Sequence, residues 1–536
     1  MKSSTAFPPG AGWIPVAFVM IIVVLVSGLA LTPQFNTTFM GSGGGAKTAL
    51  RPGLKAGSKP GTHQVTTTQI INGKAVQVTQ DVPNAPSDYV SGGDAGSAGS
   101  AGSDGTAGSD GTAGTGDQTL NTDGTLAGGG GGGGGGAIGC DAGSNGGSTD
   151  KGISATEIHL ASTIVTDGSG KDFLGEAQNG IQAAIDQANG AGGICGRRVT
   201  IEMRNTGWNR STGSQYISSY VNDGKVFALV GEPDSEGLAG AIDSKVIDNA
   251  GIPVVGTDGM LSDQYHDPWV WPVSASTVTN AHIVADYARN TDHASTFGVV
   301  YDTQYRFGAE GAKAFVDEVH RLGGTAYSQG VDGSNTGTFT TETQTFNSNC
   351  KPCDAVFMLL EPTPAKAWMH LEGGSWYKHL YGGEPLFNSQ FAGACGDPCG
   401  QAPLHVWTGY RPAIQPFDSQ GGVPAYSNAL KAKCQSCDPQ NEFTEGAYLG
   451  TRMFIEAAKR LGAQGTPLTR QALADELNSD SFDLGLTDSP ITYAGKPLHL
   501  ANTTMAMFAE NYAGGFNGWS YQNSGYVQDP SPGVNQ

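Results

Sequence analysis

Two groups of side chains in this sequence have types and spacings that could do chemistry. The first is cysteine, with eight residues: Cys140, Cys195, Cys350, Cys353, Cys395, Cys399, Cys434 and Cys437. Three close pairs stand out: Cys350-Lys-Pro-Cys353, Cys395-Gly-Asp-Pro-Cys399 and Cys434-Gln-Ser-Cys437. Zinc would need four thiolates converging from two such pairs. Redox work would need a C-x-x-C at a helix N-terminus with a lowered thiol pKa. A structural disulfide needs only an oxidising compartment, and an even cysteine count suits it. We expect local disulfides, with Cys140 and Cys195 paired by default as the two left over.

The second group is polar and aromatic and follows short apolar runs. Ser235 comes after VFALV and Thr257 after GIPVV. Hydroxyls and free N–H groups at helix N-termini point at an anion in such loops; Ser235 also stands where it could simply cap its own helix. Asp234, Asp258 and Glu361 end apolar runs and could pair with an ammonium, or be solvated loop charges. Tyr305 could close over a ligand or pack in a cleft. Trp208 could stack on a ligand or floor the same cleft. Against these stand no G-x-S-x-G elbow, H-E-x-x-H, P-loop or dinucleotide fingerprint. The ten histidines are scattered, and His370 and His379 follow no metal-ligand spacing. No catalytic residue, resident metal or cofactor is expected.

These residues are positioned by one repeated unit. EIHLASTIV at 157–165 is short and β-prone, and Asp167-Gly168-Ser169-Gly170 follows it. Leu174, Ala177, Ile181, Ala184, Ile185 and Ala188 then recur at helical spacing. Gly190, Gly192 and Gly193 end the helix, and VTIEM at 199–203 reads as the next strand. Strand, helix, strand is a crossover unit, which implies a parallel sheet with helices on its faces. Ligands of such sheets bind at strand carboxyl ends. The pattern returns in strands at 226–230, 251–255, 297–301 and 355–360, with helices at 238–249, 280–289, 309–322 and 364–371. Residues 269–273 read as extended, 385–388 and 405–408 as short strands, and 441–461 and 469–477 as helices. This rhythm predicts a doubly wound α/β architecture.

The 536 residues do not all belong to it. Much of the excess among 82 glycines lies before residue 150, leaving a foldable part suited to two lobes rather than one core. Residues 13–32, WIPVAFVMIIVVLVSGLALT, have membrane-spanning length and no internal charge. They read as an uncleaved signal anchor, with a cleaved signal peptide as the alternative; the cysteines favour an exported body. Within 33–90, a β-like patch at 65–78 carries Asn72-Gly73 as a hairpin turn. Residues 91–150 are Gly/Ser-rich and include the run Gly128–Gly136, a flexible coil reaching on the order of 40 Å. Lobe 1 is expected to begin with 151–275 and lobe 2 with 276–400, and 401–536 is expected to serve both. Net charge is −20, from 49 acidic and 29 basic residues, which argues against a nucleic-acid partner.

EIHLASTIVTDGSG…GIQAAIDQANGAGGICGRRVTIEMRN resembles the opening of type I periplasmic solute-binding proteins, the branched-chain amino-acid receptor group. Gly192-Gly193-Ile194-Cys195-Gly196-Arg197 is similar to that group's GG-x-x-GR helix ending. FGVVYDTQYRFGAEGAKAFVDEVHRLGG resembles its second-lobe strand and D-x-x-Y-x-x-G loop. The likeness covers residues 151–520. It implies two α/β lobes joined by a three-strand hinge, closing on a small ligand such as an amino acid, with an ABC importer permease as partner and no covalent chemistry. It matches Ser235 and Thr257 to carboxylate-binding loops and Tyr305 to the tyrosine that closes over the ligand. The cysteine-bearing loops at 340–353 and 392–440 depart from the family's pattern, and so does the apolar anchor in place of a lipid-bearing cysteine. A sensor domain of the same fold and a disulfide- or zinc-stabilised envelope protein are the alternative readings.

Overall fold

The computed structural model describes residues 62–71, 74–83, 140–334, 339–372, 376–388, 391, 403–512 and 516–536. The apolar run at 13–32, the glycine run, Cys395 and Cys399 lie outside them. Among the described residues no helix is long and apolar enough to cross a membrane. The chain divides into two compact units, 1–127 and 128–536. In the first, β1 (Thr62–Ile71) and β2 (Lys74–Pro83) form an antiparallel hairpin whose register pairs Ile71 with Lys74. Asn72 and Gly73, where the turn is expected, lie outside the described residues.

The second unit holds two sheets. The first is built from β3 (Glu157–Ile164), β4 (Arg198–Asn205), β5 (Leu229–Glu232), β6 (Val254–Thr257) and β7 (Val270–Trp271), all parallel, in the order β4-β3-β5-β6-β7. The second contains β8 (Thr296–Asp302), β9 (Thr325–Val331), β10 (Cys353–Leu359), β11 (Tyr377–Gly382) and β12 (Leu404–Thr408), parallel in the order β9-β8-β10-β11-β12. Counting each sheet from its own first strand, both read 2-1-3-4-5. The order reverses between strands 1 and 3, which places a ligand crevice at the carboxyl ends of β3/β5 and of β8/β10.

The helices follow from apolar periodicity and capping. α1 (Lys171–Leu174) and α2 (Ala177–Gly190) bury Leu174, Ala177, Ile181, Ala184, Ile185 and Ala188, the face the spacing predicts. α3 (Arg210–Asp223) starts at Asn209, whose side chain accepts from Thr212 N. α4 (Ser235–Asp243) and α5 (Val246–Ala250) replace the single helix expected at 238–249, because Lys245 adopts φ +60° and breaks the run. α6 (Asp263–His266), α7 (Thr277–Asn290), α8 (Arg306–Arg321), α9 (Thr340–Asn349) and α10 (Pro362–Glu372) complete the crossovers. The strand expected at 385–388 is instead a turn of 3₁₀ helix, Glu384–Leu386, with proline at its start; the strand of that region is β11.

After β12 the chain returns to the first sheet. α11 (Val423–Lys433) packs on α2; α12 (Glu442–Ala463) packs on α2, β5 and β6; and α13 (Arg470–Ser479) packs on α12. A short pairing of β13 (Ser481–Phe482) with β14 (Ile491–Thr492) follows. The chain then crosses again, and β15 (Thr504–Tyr512), β16 (Phe516–Tyr521) and β17 (Val527–Gln528) extend the second sheet antiparallel. The lobes are thus joined three times: between β7 and α7, between β12 and α11, and between β14 and β15.

Disulfides join Cys140 to Cys195, Cys350 to Cys353 and Cys434 to Cys437. No group of three or more metal-ligating side chains occurs among the described residues. The first bridge closes a separation of 55 residues, which in the chain-entropy account contributes about 4 kcal/mol.

α12 lies so close to β6 that only glycine fits at the crossing. A Cβ on Gly256, where φ is +78°, would sit 2.2 Å from the Gly450 Cα; one on Gly450 would sit 2.4 Å from the Gly256 Cα. Gly450→Ala is expected to destabilise the folded unit by about 1–3 kcal/mol, read as a lower denaturation midpoint with unchanged slope. A neutral effect would mean the helix stands farther from the sheet.

Candidate functional site

Loops at the carboxyl ends of both sheets meet across the hinge cleft. From the first lobe come Ser169 after β3, Trp208 after β4, Glu236 after β5 and Ser262 after β6. From the second come Tyr305, Arg306 and Glu310 after β8, and Thr363 after β10. The Trp208 and Tyr305 rings stack with centroids 4.0 Å apart and planes 22° off parallel. Ser169 Oγ and the Tyr305 hydroxyl are 2.5 Å apart. Arg306 N donates to Glu236 Oε1 at 3.1 Å, and its guanidinium reaches Asp263 at 2.6 Å and Glu310 at 2.8 Å. Ser262 Oγ donates to Glu310 Oε2 at 2.8 Å, and Thr363 Oγ1 to Asp172 Oδ2 at 3.3 Å. The cleft is shut.

Trp208 is placed by a turn that costs backbone energy. Its φ is +60°, a conformation that disfavours a bulky residue by about 1–3 kcal/mol. Asn205 Oδ1 accepts from Thr166 N at 2.8 Å and Thr206 Oγ1 from Trp208 N at 3.2 Å, which holds the turn. The indole is buried, edge-on to Phe173 at 5.3 Å, and its Nε1–H donates to Ser235 Oγ at 3.1 Å. Of the two sequence readings for Trp208, this geometry gives it both a packing role and a ring face toward the opposite lobe.

The hydroxyls of Ser235 and Thr257 are engaged inside the chain. Asp234, not Ser235, is the N-cap of α4: its side chain accepts from Gly237 N at 3.0 Å, and Ser235 is the first helical residue. This corrects the capping expectation, because Asp234 sits one residue earlier and reaches the same donor. Ser235 N donates to Asp258 Oδ2 at 3.2 Å, Met260 N to Asp258 Oδ1 at 3.2 Å and Gln264 Nε2 to the same oxygen at 2.9 Å. Thr257 Oγ1 donates to Gln264 Oε1.

Acids crowd this region. Burial pushes the Asp258 carboxyl up to about 7, although hydrogen bonds from Gln264, Met260 and Ser235 oppose the change. Burial likewise raises Asp234 to about 6 and Glu384 to about 7. Glu232 is raised well above its ordinary value by desolvation, against hydrogen bonds from Thr163. Glu442 and Glu445, in the first turn of α12, are raised the same way. In the second lobe, Glu361 is raised well above its ordinary value by desolvation first and then by Asp302. A cavity of about 10 Å³ lies among Glu232, Thr257, Asp258, Ser274, Tyr410 and Glu442, room for roughly one water.

The structure therefore brings Ser235, Thr257, Asp258, Trp208 and Tyr305 to one cleft, with Glu361 at the neighbouring strand end of the second lobe. Sequence reasoning passed over Ser169, Asp302, Glu232, Gln264 and Glu442. Ser169 and Asp302 lie in loops already singled out, Asp302 as the first residue of the Tyr305 loop. Nothing in the linear order marks Gln264 or Glu442.

Two like-ordered sheets, three crossovers and a cleft at the strand ends define a bilobed α/β architecture. The chain belongs to the periplasmic binding protein family, whose sequence profile matches residues 157–514, more than half of its length. The fold is shared with a leucine binding protein (LivK) of Thermotoga maritima, at 15% identity and a TM-score of 0.57, over 69% of this chain and 99% of that one. It is shared with the branched-chain amino acid transporter substrate binding protein LivJ of Streptococcus pneumoniae, solved with isoleucine, at 16% identity and a TM-score of 0.56, over 70% and 100%. A fatty acid ABC transporter substrate-binding protein of Thermomonospora curvata matches at 13% identity and a TM-score of 0.58, over 71% and 94%. No curated protein sequence matches the chain.

The raised carboxyls set a pH dependence. Each binds its proton more tightly folded than unfolded, so the unfolded chain releases protons first as pH rises. Their contribution to stability is full below the unfolded carboxyl pKa and is lost as pH climbs towards about 7. Each tenfold gain in a carboxyl's proton affinity on folding is worth about 1.4 kcal/mol. Asp354, held low by Lys378 and Ser295, acts in the opposite sense but stands against many raised acids. Calorimetry is expected to give a higher melting temperature near pH 5.5 than near pH 8. The reverse order would show these carboxyls to be solvated.

Proposed function

We propose that this protein is an extracytoplasmic solute-binding receptor that captures a small polar molecule by hinge closure and passes it to an ABC importer. The observation that carries the reading is the pair of rings, Trp208 and Tyr305, contributed by opposite lobes and meeting over the strand ends. A ligand entering there touches both lobes at once, and only such a ligand favours the closed form over the open one. Ser235, Thr257, Asp258, Trp208, Tyr305 and Glu361 form the proposed ligand-binding set, with no bond made or broken. Family membership and the fold of amino-acid-binding receptors support it. In this reading residues 1–32 anchor the chain, 33–139 carry the body away from the membrane, 151–275 and 276–400 open the lobes, and 401–536 serves both. The linker expected over 91–150 stops short at Cys140, which the disulfide to Cys195 ties to the first lobe.

The test is melting temperature and tryptophan fluorescence of the full chain across amino acids, amides, amines and short peptides. A binder at 100 times its Kd stabilises by about 2.7 kcal/mol and should alter the Trp208 emission. Tyr305→Ala is expected to abolish that ligand-induced change while leaving the free protein folded. A response that survives both Tyr305→Ala and Trp208→Ala would remove the cleft from the mechanism.

A further inference from the structure

Asp258 occupies the place that the sequence pattern reserves for an anion. Its carboxylate takes Ser235 N, Met260 N and the Gln264 amide, while the Ser235 hydroxyl is held by the Trp208 indole and the Thr257 hydroxyl by Gln264. The backbone donors Ser235 N and Met260 N are therefore engaged by the protein's own carboxylate, the Thr257 hydroxyl donates to Gln264, and the Ser235 hydroxyl, accepting from Trp208, turns its hydrogen to Met260 Sδ at 4.0 Å. A second carboxylate would arrive beside Asp258, with Asp234 on the same loops, in a site from which water is excluded. Like charges there repel strongly.

The opposite lobe offers the complementary chemistry. Asp302 and Glu361 stand at the carboxyl ends of β8 and β10, neighbouring strands at the point where the sheet order reverses, and are 0% and 1% exposed. Asp302 Oδ2 and Glu361 Oε1 receive no donor. Gly333 packs against both, its Cβ position 1.9 Å from Asp302 Oδ2 and 3.0 Å from Glu361 Oε2, so no side chain can approach from that turn. Proximity to Asp302 also makes the Glu361 proton hard to remove. Asp302 Oδ1 takes Gln304 N, and Glu361 shares its proton with Asp302; a cation in place of that proton would satisfy the oxygens left without a partner. Tyr305 lies three residues beyond Asp302 and, with Trp208, supplies aromatic faces that attract one.

We propose that the ligand is an organic cation of the primary-amine or polyamine class lacking an α-carboxylate, with Asp258 filling the anion position and the Asp302–Glu361 pair receiving the ammonium. This rests on the solute-binding reading and narrows it. Amino acids become the disfavoured class, because the carboxylate that distinguishes them from their amines would meet Asp258 already seated on the Ser235 and Met260 backbone donors.

The experiment is calorimetric titration of the full chain with matched pairs: L-lysine and cadaverine, L-ornithine and putrescine, L-leucine and isoamylamine. In at least one pair the amine is expected to bind on the order of 100-fold more tightly than the amino acid. Asp302→Asn with Glu361→Gln, nearly isosteric and therefore expected to fold, should abolish amine binding. Asp258→Ala, which frees Ser235 N and Met260 N, should narrow or reverse the preference within that pair. Amino acids binding as well as or better than their amines to the unaltered protein would overturn the inference and leave the solute-binding reading standing. Amine binding that survives the double substitution would overturn the assignment of the acid pair. Silence from every pair would overturn the ligand class, and the wider solute panel then judges the receptor reading separately.

Discussion

The packed protein holds a set of carboxyl groups out of water without giving each a counter-charge. Glu232, Asp234 and Asp258 end strands of the first sheet, Asp302 and Glu361 end strands of the second, and Glu442 and Glu445 open the helix beneath the hinge. A dry carboxylate is expensive, so each is relieved in one of two ways: by hydrogen bonds, as Thr163 does for Glu232 and Gln264 for Asp258, or by keeping its proton.

The cost is offset by apolar contact that runs across the cleft. Phe173, Trp208, Phe307 and Phe443 belong to one buried cluster that draws residues from both lobes. Trp208 is its pivot, held in a left-handed turn by Asn205 and Thr206 and pinned through its indole nitrogen to Ser235. Stacking on Tyr305 adds about 0.5–1.5 kcal/mol beyond burial. That is enough to bias a hinge and little enough for a ligand to replace. The α12 helix meets its sheet at a glycine–glycine contact, which seats the helix directly on β6.

The architecture was written in local pattern. Apolar alternation between strand and helix periods, with glycine at the helix ends, is enough to specify repeated crossovers, because the two periodicities bury different faces. The leftover cysteines Cys140 and Cys195 and the pairing of β1 with β2 were legible for the same reason: few partners were available to them. The antiparallel strands after residue 500 were not, since their pairing depends on a sheet edge formed a hundred residues earlier, and α3 was missed because its buried face is small and partly glycine.

Which loops end strands could be read from local pattern, and with it the placing of Ser235, Thr257, Asp258, Tyr305 and Glu361 at the strand ends of two sheets. What those side chains touch once there was set by packing between distant parts of the chain. Hydrogen bonding at Ser235 and Thr257 depends on Asp258, Gln264 and Trp208, whose approach is fixed by how separate strand ends pack. The protonation of Asp258 and Glu361 depends on how much water the closed lobes exclude, and exclusion is a property of the whole packed interface that no short run of residues carries.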